Sequence, residues 1–320
     1  MIKKIEDISL NLLKGYRWEI FIEEKDILTA SSKELKLDKL KKAKDIGFSV
    51  RVEKNRHVGF AYGTVLNEKD VKDIIEKALA LSEISDEKNL LLQKPLEAEK
   101  VEYFDTFAAK ELPDEDKIYK AIEIEETAYK IDQRIKSIRD ANFSETVLEK
   151  YLLNSEGVKL SQKGTIYSAQ VGVLAEDKGD SQISWNFTAS RFFGELEIEE
   201  MVKEAVFNAV SLLGASPIKT QKLPVLFPPY AMTEILAQFF PMFSGDSLIK
   251  GKTPFSQLKN KNIFPDKLTI IDNGLLKKGI GTFSYDDEGT PSQETVIVED
   301  GRFINFLHNL YTANLSKEKP

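Results

Sequence analysis

Ile46-Gly-Phe-Ser-Val-Arg-Val52 and, after a short polar break, Val58-Gly-Phe-Ala-Tyr-Gly-Thr64 alternate apolar and other side chains. A period of two predicts two strands, with Ile46, Phe48, Val50 and Val52 on one sheet face and Val58, Phe60, Tyr62 and Thr64 on one face of the next. Asn67 then precedes Asp70 by three residues, the spacing of a helix cap, and Val71, Ile74, Ile75, Ala78 and Leu79 recur at helical spacing. A helix whose stripe covers a sheet face makes the class α+β.

The same plan extends in both directions. Upstream, Trp18-Glu-Ile-Phe-Ile22 and a run near Ile27 to Leu37 read as further strands, which gives a first α+β domain over residues 1–85. Residues 86–113 mix charges with Pro95 and Pro113 and have poor periodicity, so an extended linker is expected there. A central α+β domain follows over 114–216. Its first helix starts at Asp114 with Ile118, Ala121, Ile122, Ala128 and Ile131 facing inward, and strands fill 134–193 with turns at Gly157, Gly164 and Gly179. The stripe Ile198, Met201, Val202, Ala205, Val206, Ala209, Val210, Leu213, ending at Gly214, predicts a covering helix. Beyond Ser216-Pro217, residues 217–320 read as a β-rich third domain. It opens on a short apolar strand and a helix begun by Pro229, where a missing N–H costs nothing. Met232, Ile235, Leu236, Phe239 and Phe240 predict a buried face on that helix. Ser244-Gly-Asp-Ser247 is a turn, Phe283-Ser-Tyr-Asp-Asp-Glu-Gly-Thr-Pro291 an aromatic strand entering an acidic turn, and Asp300-Gly301 a two-residue hairpin turn. The expectation is a multi-domain chain of antiparallel or mixed sheets, each covered by helices.

Composition narrows the function. At 320 residues, 42% hydrophobic and 30% charged, the chain has the balance of a soluble globular protein. No run approaches the ~20 apolar residues of a membrane span, and Met1-Ile-Lys-Lys-Ile-Glu-Asp7 is unlike a signal or transit peptide. Zero cysteines excludes disulfides and thiolate metal sites and fits a cytoplasmic location. A net charge of −7 argues against a nucleic-acid surface. The lysines of residues 33–44 are interleaved with Glu34 and Asp38 and read as a solvated element surface.

Several side-chain groups invite a chemical role. Asp286, Asp287 and Glu288 are consecutive, and neighbours in an extended segment point to opposite faces, which disfavours shared metal ligation, so they read as an acidic turn. His57 and His308 are the only histidines and read as an exposed turn residue and a satisfied structural one. Asn154-Ser155 sits in a turn with no histidine close in sequence, so Ser155 reads as a turn residue rather than a nucleophile. Asn154, Ser155, Asp286, Asp287, Glu288 and His308 are the candidate cavity-facing or substrate-facing residues. Strand edges in the 160s to 190s and at Thr295 to Phe306 are candidates for binding an extended peptide by strand addition.

In order along the chain, Gly47-Phe-Ser-Val-Arg-Val, Gly59-Phe-Ala-Tyr-Gly-Thr, Asn154-Ser-Glu-Gly157 followed by Ala169-Gln-Val-Gly-Val, the Pro228-Pro229 helix with Ser244-Gly-Asp-Ser, and the Phe283 to Pro291 turn resemble the TldD/PmbA family, sometimes described as modulators of DNA gyrase. The resemblance spans residues 16 to 313. It implies a peptidase complex acting on unfolded polypeptide or peptide precursors, in which the TldD arm carries a His-Glu-x-x-x-His helix for zinc. With the Gly245-Asp246 pair aligned, Leu236, Ala237 and Pro241 stand at those three positions, and none can bind zinc or move a proton. The resemblance is accordingly to the PmbA arm. It implies no catalytic or metal residue and no cofactor in this chain, zinc in a TldD-like partner, and assembly with that partner or as a homo-oligomer. Family members continue for roughly a hundred residues past the position of Tyr311, more than one small subdomain, so an incomplete C-terminal domain is expected. A non-enzymatic interaction or chaperone-like module is the alternative.

Overall fold

Six strands join one antiparallel sheet in the order β3-β2-β1-β4-β5-β6. The structure is a computed structural model and describes residues 2–320. Helix α1 (Ile2–Leu12) precedes β1 (Arg17–Lys33), β2 (Lys36–Lys54), β3 (His57–Thr64) and α2 (Glu68–Leu81). An irregular segment leads through α3 (Thr106–Lys110) to α4 (Asp114–Ile131), β4 (Ile135–Asn154), β5 (Lys159–Asp177), β6 (Asp180–Ser190) and α5 (Ile198–Ser211). The remainder comprises α6 (Pro229–Phe239), α7 (Gly245–Ile249), β7 (Ile270–Asn273), β8 (Glu294–Glu299), β9 (Arg302–Phe303) and α8 (Leu310–Ser316). Strands β7, β8 and β9 make a second, three-stranded sheet. Among the described residues no helix is long and apolar enough to cross a membrane.

The strands read at both ends of residues 17–193 belong to a single sheet, because β1 pairs with β4 from Glu19↔Asn154 to Ser31↔Asn142. That pairing joins segments far apart in sequence, and no local pattern announces it. The two runs read upstream are one strand. The charged stretch Glu23-Glu-Lys-Asp26 does not break β1, since β2 and β4 supply a ladder on both sides of it.

Strands β1 and β2 meet at Glu34 and Leu35, both at positive φ (54° and 58°) without a glycine or asparagine. The buried Glu125 of α4 holds that turn: its carboxylate accepts from the backbone N–H of Glu34 at 3.0 Å and of Leu35 at 2.9 Å, and from the Ser32 hydroxyl. The other tight turns use Asn55-Arg56, Lys178-Gly179 and Asp300-Gly301, each with positive φ at both positions.

Helices cover one face of the large sheet. Val71, Ile74, Ile75 and Ala78 of α2 pack with Ile20, Ile22, Phe48 and Val50, and a capping box at Asn67 and Asp70 fixes where α2 starts. Ile198, Met201, Val202 and Ala205 of α5 pack with Val171 and Val173. Helix α4 turns differently from its expected phase: Ala121 and Ala128 are buried with Ile124, whereas Ile131 is exposed at the last position.

Two expectations are corrected here. Helix α6 buries none of its residues, and Met232, Phe239 and Phe240 are 38%, 45% and 43% exposed. The apolar stripe is present, but its aromatic contacts are few: Tyr230 meets Trp185 and Phe187 of β6, and Phe240 meets Phe243. The strand edges are also fewer than expected. Strand β5, which holds the 160s, is paired on both sides, and β8 lies between β7 and β9, so β3 and β6 are the edges of the large sheet. Ser244, read as part of a turn, caps α7 by accepting from the Ser247 N–H.

Candidate functional site

The sheet face turned away from the helices carries Glu19, Arg51 and Asn154 side by side, because Glu19 pairs with Arg51 on β2 and with Asn154 on β4. The C-terminal residues dock on this face and bring the acidic turn to it. Each of the three consecutive acids goes its own way. Asp286 folds back on its own loop, its Oδ1 accepting from the N–H of Glu288 at 2.9 Å and of Thr290 at 2.8 Å. Asp287 takes an ion pair from Lys150 at 2.8 Å. Glu288 pairs with Arg51 at 3.4 Å and accepts from the Leu310 N–H at the start of α8 at 2.9 Å. The turn closes through Gly289 at φ 81°, where a side chain would run into Leu152.

Arg51 therefore bridges sheet and turn, holding Glu19 with Nε (3.0 Å) and Nη2 while Nη1 faces Glu288. Glu19 is 4% exposed and its Oε2 has no hydrogen-bond partner. Burial, opposed by the adjacent guanidinium, pushes its pKa up to about 7. A carboxyl raised in the folded state adds stability below its unfolded pKa and loses it as pH rises through the folded one. The contribution of this group thus falls between pH ~4.5 and ~7 by up to about 3 kcal/mol. We expect Glu19→Gln to flatten the pH dependence of urea unfolding across that window. An identical slope in the variant would place the ionisation elsewhere.

Asn154 and Ser155 are turn residues by geometry. Asn154 Oδ1 accepts from the N–H of Glu156 (3.0 Å) and Val158 (3.1 Å), its amide donates to the Gln93 carbonyl, and Ser155 Oγ accepts from the Trp18 N–H at 3.1 Å. Ser155 has no base beside it in this set of contacts. His57 is half-buried rather than exposed, its Nδ1 2.7 Å from the Ser85 carbonyl oxygen.

The structure does bring His308 to the acidic turn. His308 and Asp286 line one cavity of about 190 Å³ together with Asp272 and Ser292. Burial shifts all three titratable groups toward their neutral forms, lowering His308 and raising Asp286 and Asp272. His308 Nδ1 lies 3.2 Å from the Thr312 hydroxyl, and the ring fills the space a side chain would need at Gly245.

Zinc would find no ligand at Leu236, Ala237 or Pro241. Leu236 and Ala237 lie on α6 and Pro241 on the 3-10 turn after it, with hydrocarbon side chains at all three places. Among the described residues no three His, Cys, Asp or Glu side chains gather as a metal-ligand group. The residues at those three positions do not suit the ion.

Four residues at the sheet-to-C-terminal contact have roles that were not anticipated. Arg191, fully buried, donates to the carbonyls of Thr165 (3.2 Å), Thr282 (3.0 Å) and Gly279 (3.4 Å) and stacks 4.6 Å from the Phe283 ring centroid. Gly164, expected in a turn, is inside β5; it is glycine because a Cβ there would lie 2.8 Å from Arg191 Nη1 and 3.2 Å from the Phe283 ring. Glu19 and Arg51 had a signal in sequence, as charged residues inside alternating apolar strands.

Comparison with known proteins places this architecture. Residues 18–82 match the description "PmbA/TldA metallopeptidase domain 1", residues 107–213 the central domain and residues 220–320 the C-terminal domain of the same family. A relative from Haemophilus influenzae named a metalloprotease PmbA homolog is 24% identical over 309 residues, covering 96% of this chain and 68% of its own. The chain spans about two thirds of the length of such curated relatives. Among solved structures, a candidate modulator of a DNA gyrase from Thermotoga maritima superposes with TM-score 0.89 at 24% identity, over 100% of this chain and 74% of that one. TldE from Thermococcus kodakarensis superposes with TM-score 0.85 at 22% identity, over 99% and 72%. At these identities the structures establish the fold, and the three consecutive domain matches establish the family: the chain belongs to the PmbA/TldD metallopeptidase family.

Proposed function

We propose that this chain is the metal-free, PmbA-like subunit of a TldD/PmbA-type peptidase acting on unfolded polypeptides or peptide precursors, with zinc and hydrolysis supplied by a TldD-like partner. One observation carries the reading. The helix that would bear the metal ligands and the turn after it carry Leu236, Ala237 and Pro241 instead, and Met232, Phe239 and Phe240 remain more than a third exposed. Such a helix cannot cut a peptide bond, but an exposed apolar stripe is what a subunit contact needs. The backbone edge of β6, beside the half-exposed Trp185 and Phe187 on which Tyr230 packs, adds a surface on which an extended chain could lie by strand addition.

The isolated chain is expected to retain no stoichiometric zinc after dialysis against the metal and to leave unfolded casein intact. Zinc at one equivalent together with casein cleavage by this chain alone would overturn the proposal. A non-enzymatic interaction module shares the exposed α6 and differs in one outcome: it would gain no peptidase activity in the presence of a zinc-bearing family member.

A further inference from the structure

On the helix-facing side of the large sheet, the apolar stripe is interrupted at one level in neighbouring strands. In β1 the series Trp18, Ile20, Ile22 gives way to Glu24 and Asp26 before resuming at Leu28 and Ala30. In β2, Ile46 is followed on the same face by Lys44 and Lys42, which pair across from Asp26 and Leu28. In β4, Glu149 and Glu145 sit opposite Glu24 and Leu28. A mixed-charge belt thus separates the core under α1 and α2 from the core under α4.

Over this belt lies a cleft of about 470 Å³ walled by α3 and the start of α4. Its deepest charged pair is built in: Lys117 Nζ lies 2.8 and 2.9 Å from the two oxygens of Glu145, with side chains only 4% and 9% exposed. Two buried charges are costly to desolvate, and the attraction between them offsets that only with further hydrogen bonds. An ammonium has three donors and a carboxylate about four acceptor positions, so this pair leaves both kinds unfilled. Tyr167, the cross-strand neighbour of Glu145, also keeps a buried hydroxyl without a partner. Lys110, at the end of α3, and Asp26, both exposed, stand on the rim with opposite signs; Asp26 also faces Lys44 Nζ at 3.5 Å, and Phe104, Ile27 and Val147 supply apolar wall.

We propose that this cleft binds a short zwitterionic peptide, its carboxylate toward Lys110 and Lys117 and its ammonium toward Asp26 and Glu145. Both signs within one small cleft match a molecule carrying both. Five lysines and three carboxylates line the space, but Lys42 is paired with Asp114, Lys44 with Glu24 and Asp26, Lys117 with Glu145 and Lys163 with Glu149. A phosphate dianion therefore meets Lys110 as the one lining lysine without a carboxylate partner among the described residues, and no arginine is present. The site is separate from the opposite sheet face where Arg51 and Glu288 meet, and it does not depend on the peptidase reading.

The test is calorimetric titration of the full chain with the dipeptide Ala-Leu, and with its N-acetylated and its C-amidated forms. We expect saturable binding of the free dipeptide, at least tenfold weaker binding of each blocked form, and a tenfold loss in Lys110→Ala and in Asp26→Asn. These rim variants leave the buried pair intact, and their unfolding midpoints are expected to match the parent chain. Absence of saturable binding, or equal affinity for the free dipeptide and either blocked form, would overturn the assignment.

Discussion

Replacing Arg191 by alanine is expected to destabilise the chain by about 3–5 kcal/mol, through carbonyls left without a donor and a void beneath Phe283. The guanidinium is buried with no carboxylate beside it; carbonyl oxygens from Thr165, Gly279 and Thr282 and the Phe283 face take that role. Burial accordingly lowers its pKa from the usual arginine range. It ties β5 to the loop that carries the acidic turn, so its loss also loosens the Asp286–Glu288 contact with Arg51. Arg191→Lys is expected to recover little, since an ammonium lacks the planar fork that reaches several carbonyls at once. Thermal unfolding checks this, with a fall in midpoint of roughly 10 °C for a loss of this size. A shift below 2 °C for Arg191→Ala would mean that the contact between sheet and C-terminal residues rests on other groups.

The second large effect is expected on assembly. Met232 and Phe239 are seven residues apart, hence on one side of α6, and both are more than a third exposed. Under the proposed function that side meets the partner. Two aspartates there, Met232→Asp with Phe239→Asp, put charges into an apolar contact and should weaken the complex at least a hundredfold, about 3 kcal/mol. The monomer should be little affected, because α6 buries nothing in it. Sedimentation equilibrium with the TldD-like subunit reads the first effect and the thermal midpoint of the variant alone reads the second. Unchanged association would move the interface off α6.

Much of this architecture is written locally. The alternation from Ile46 to Val52, the cap at Asn67 and Asp70, the stripe of α5 and the Asp300-Gly301 hairpin each depend on neighbours in sequence, and each forms where the pattern places it. What failed depends on distant partners. The Glu34-Leu35 turn has no turn residue of its own because Glu125, 90 residues away from Leu35, supplies the acceptor. Gly164 resembles a turn glycine until Arg191 and Phe283 are seen against it. The face of α6 reads as core because periodicity reports amphipathicity and not what covers the apolar side. At the candidate site, the divergence expected of the consecutive Asp286, Asp287 and Glu288 occurs although they lie in a turn and not a strand, whereas the approach of His308 to Asp286 required the fold.

The most direct test of the central claim is to titrate this chain into a fixed, limiting amount of a zinc-bearing TldD-like subunit from the same source while following casein cleavage. The silent-subunit account predicts no cleavage by this chain alone and activity that climbs to a plateau at one equivalent, with zinc remaining on the partner. Cleavage by this chain alone, or a flat titration with a competent partner, would contradict it.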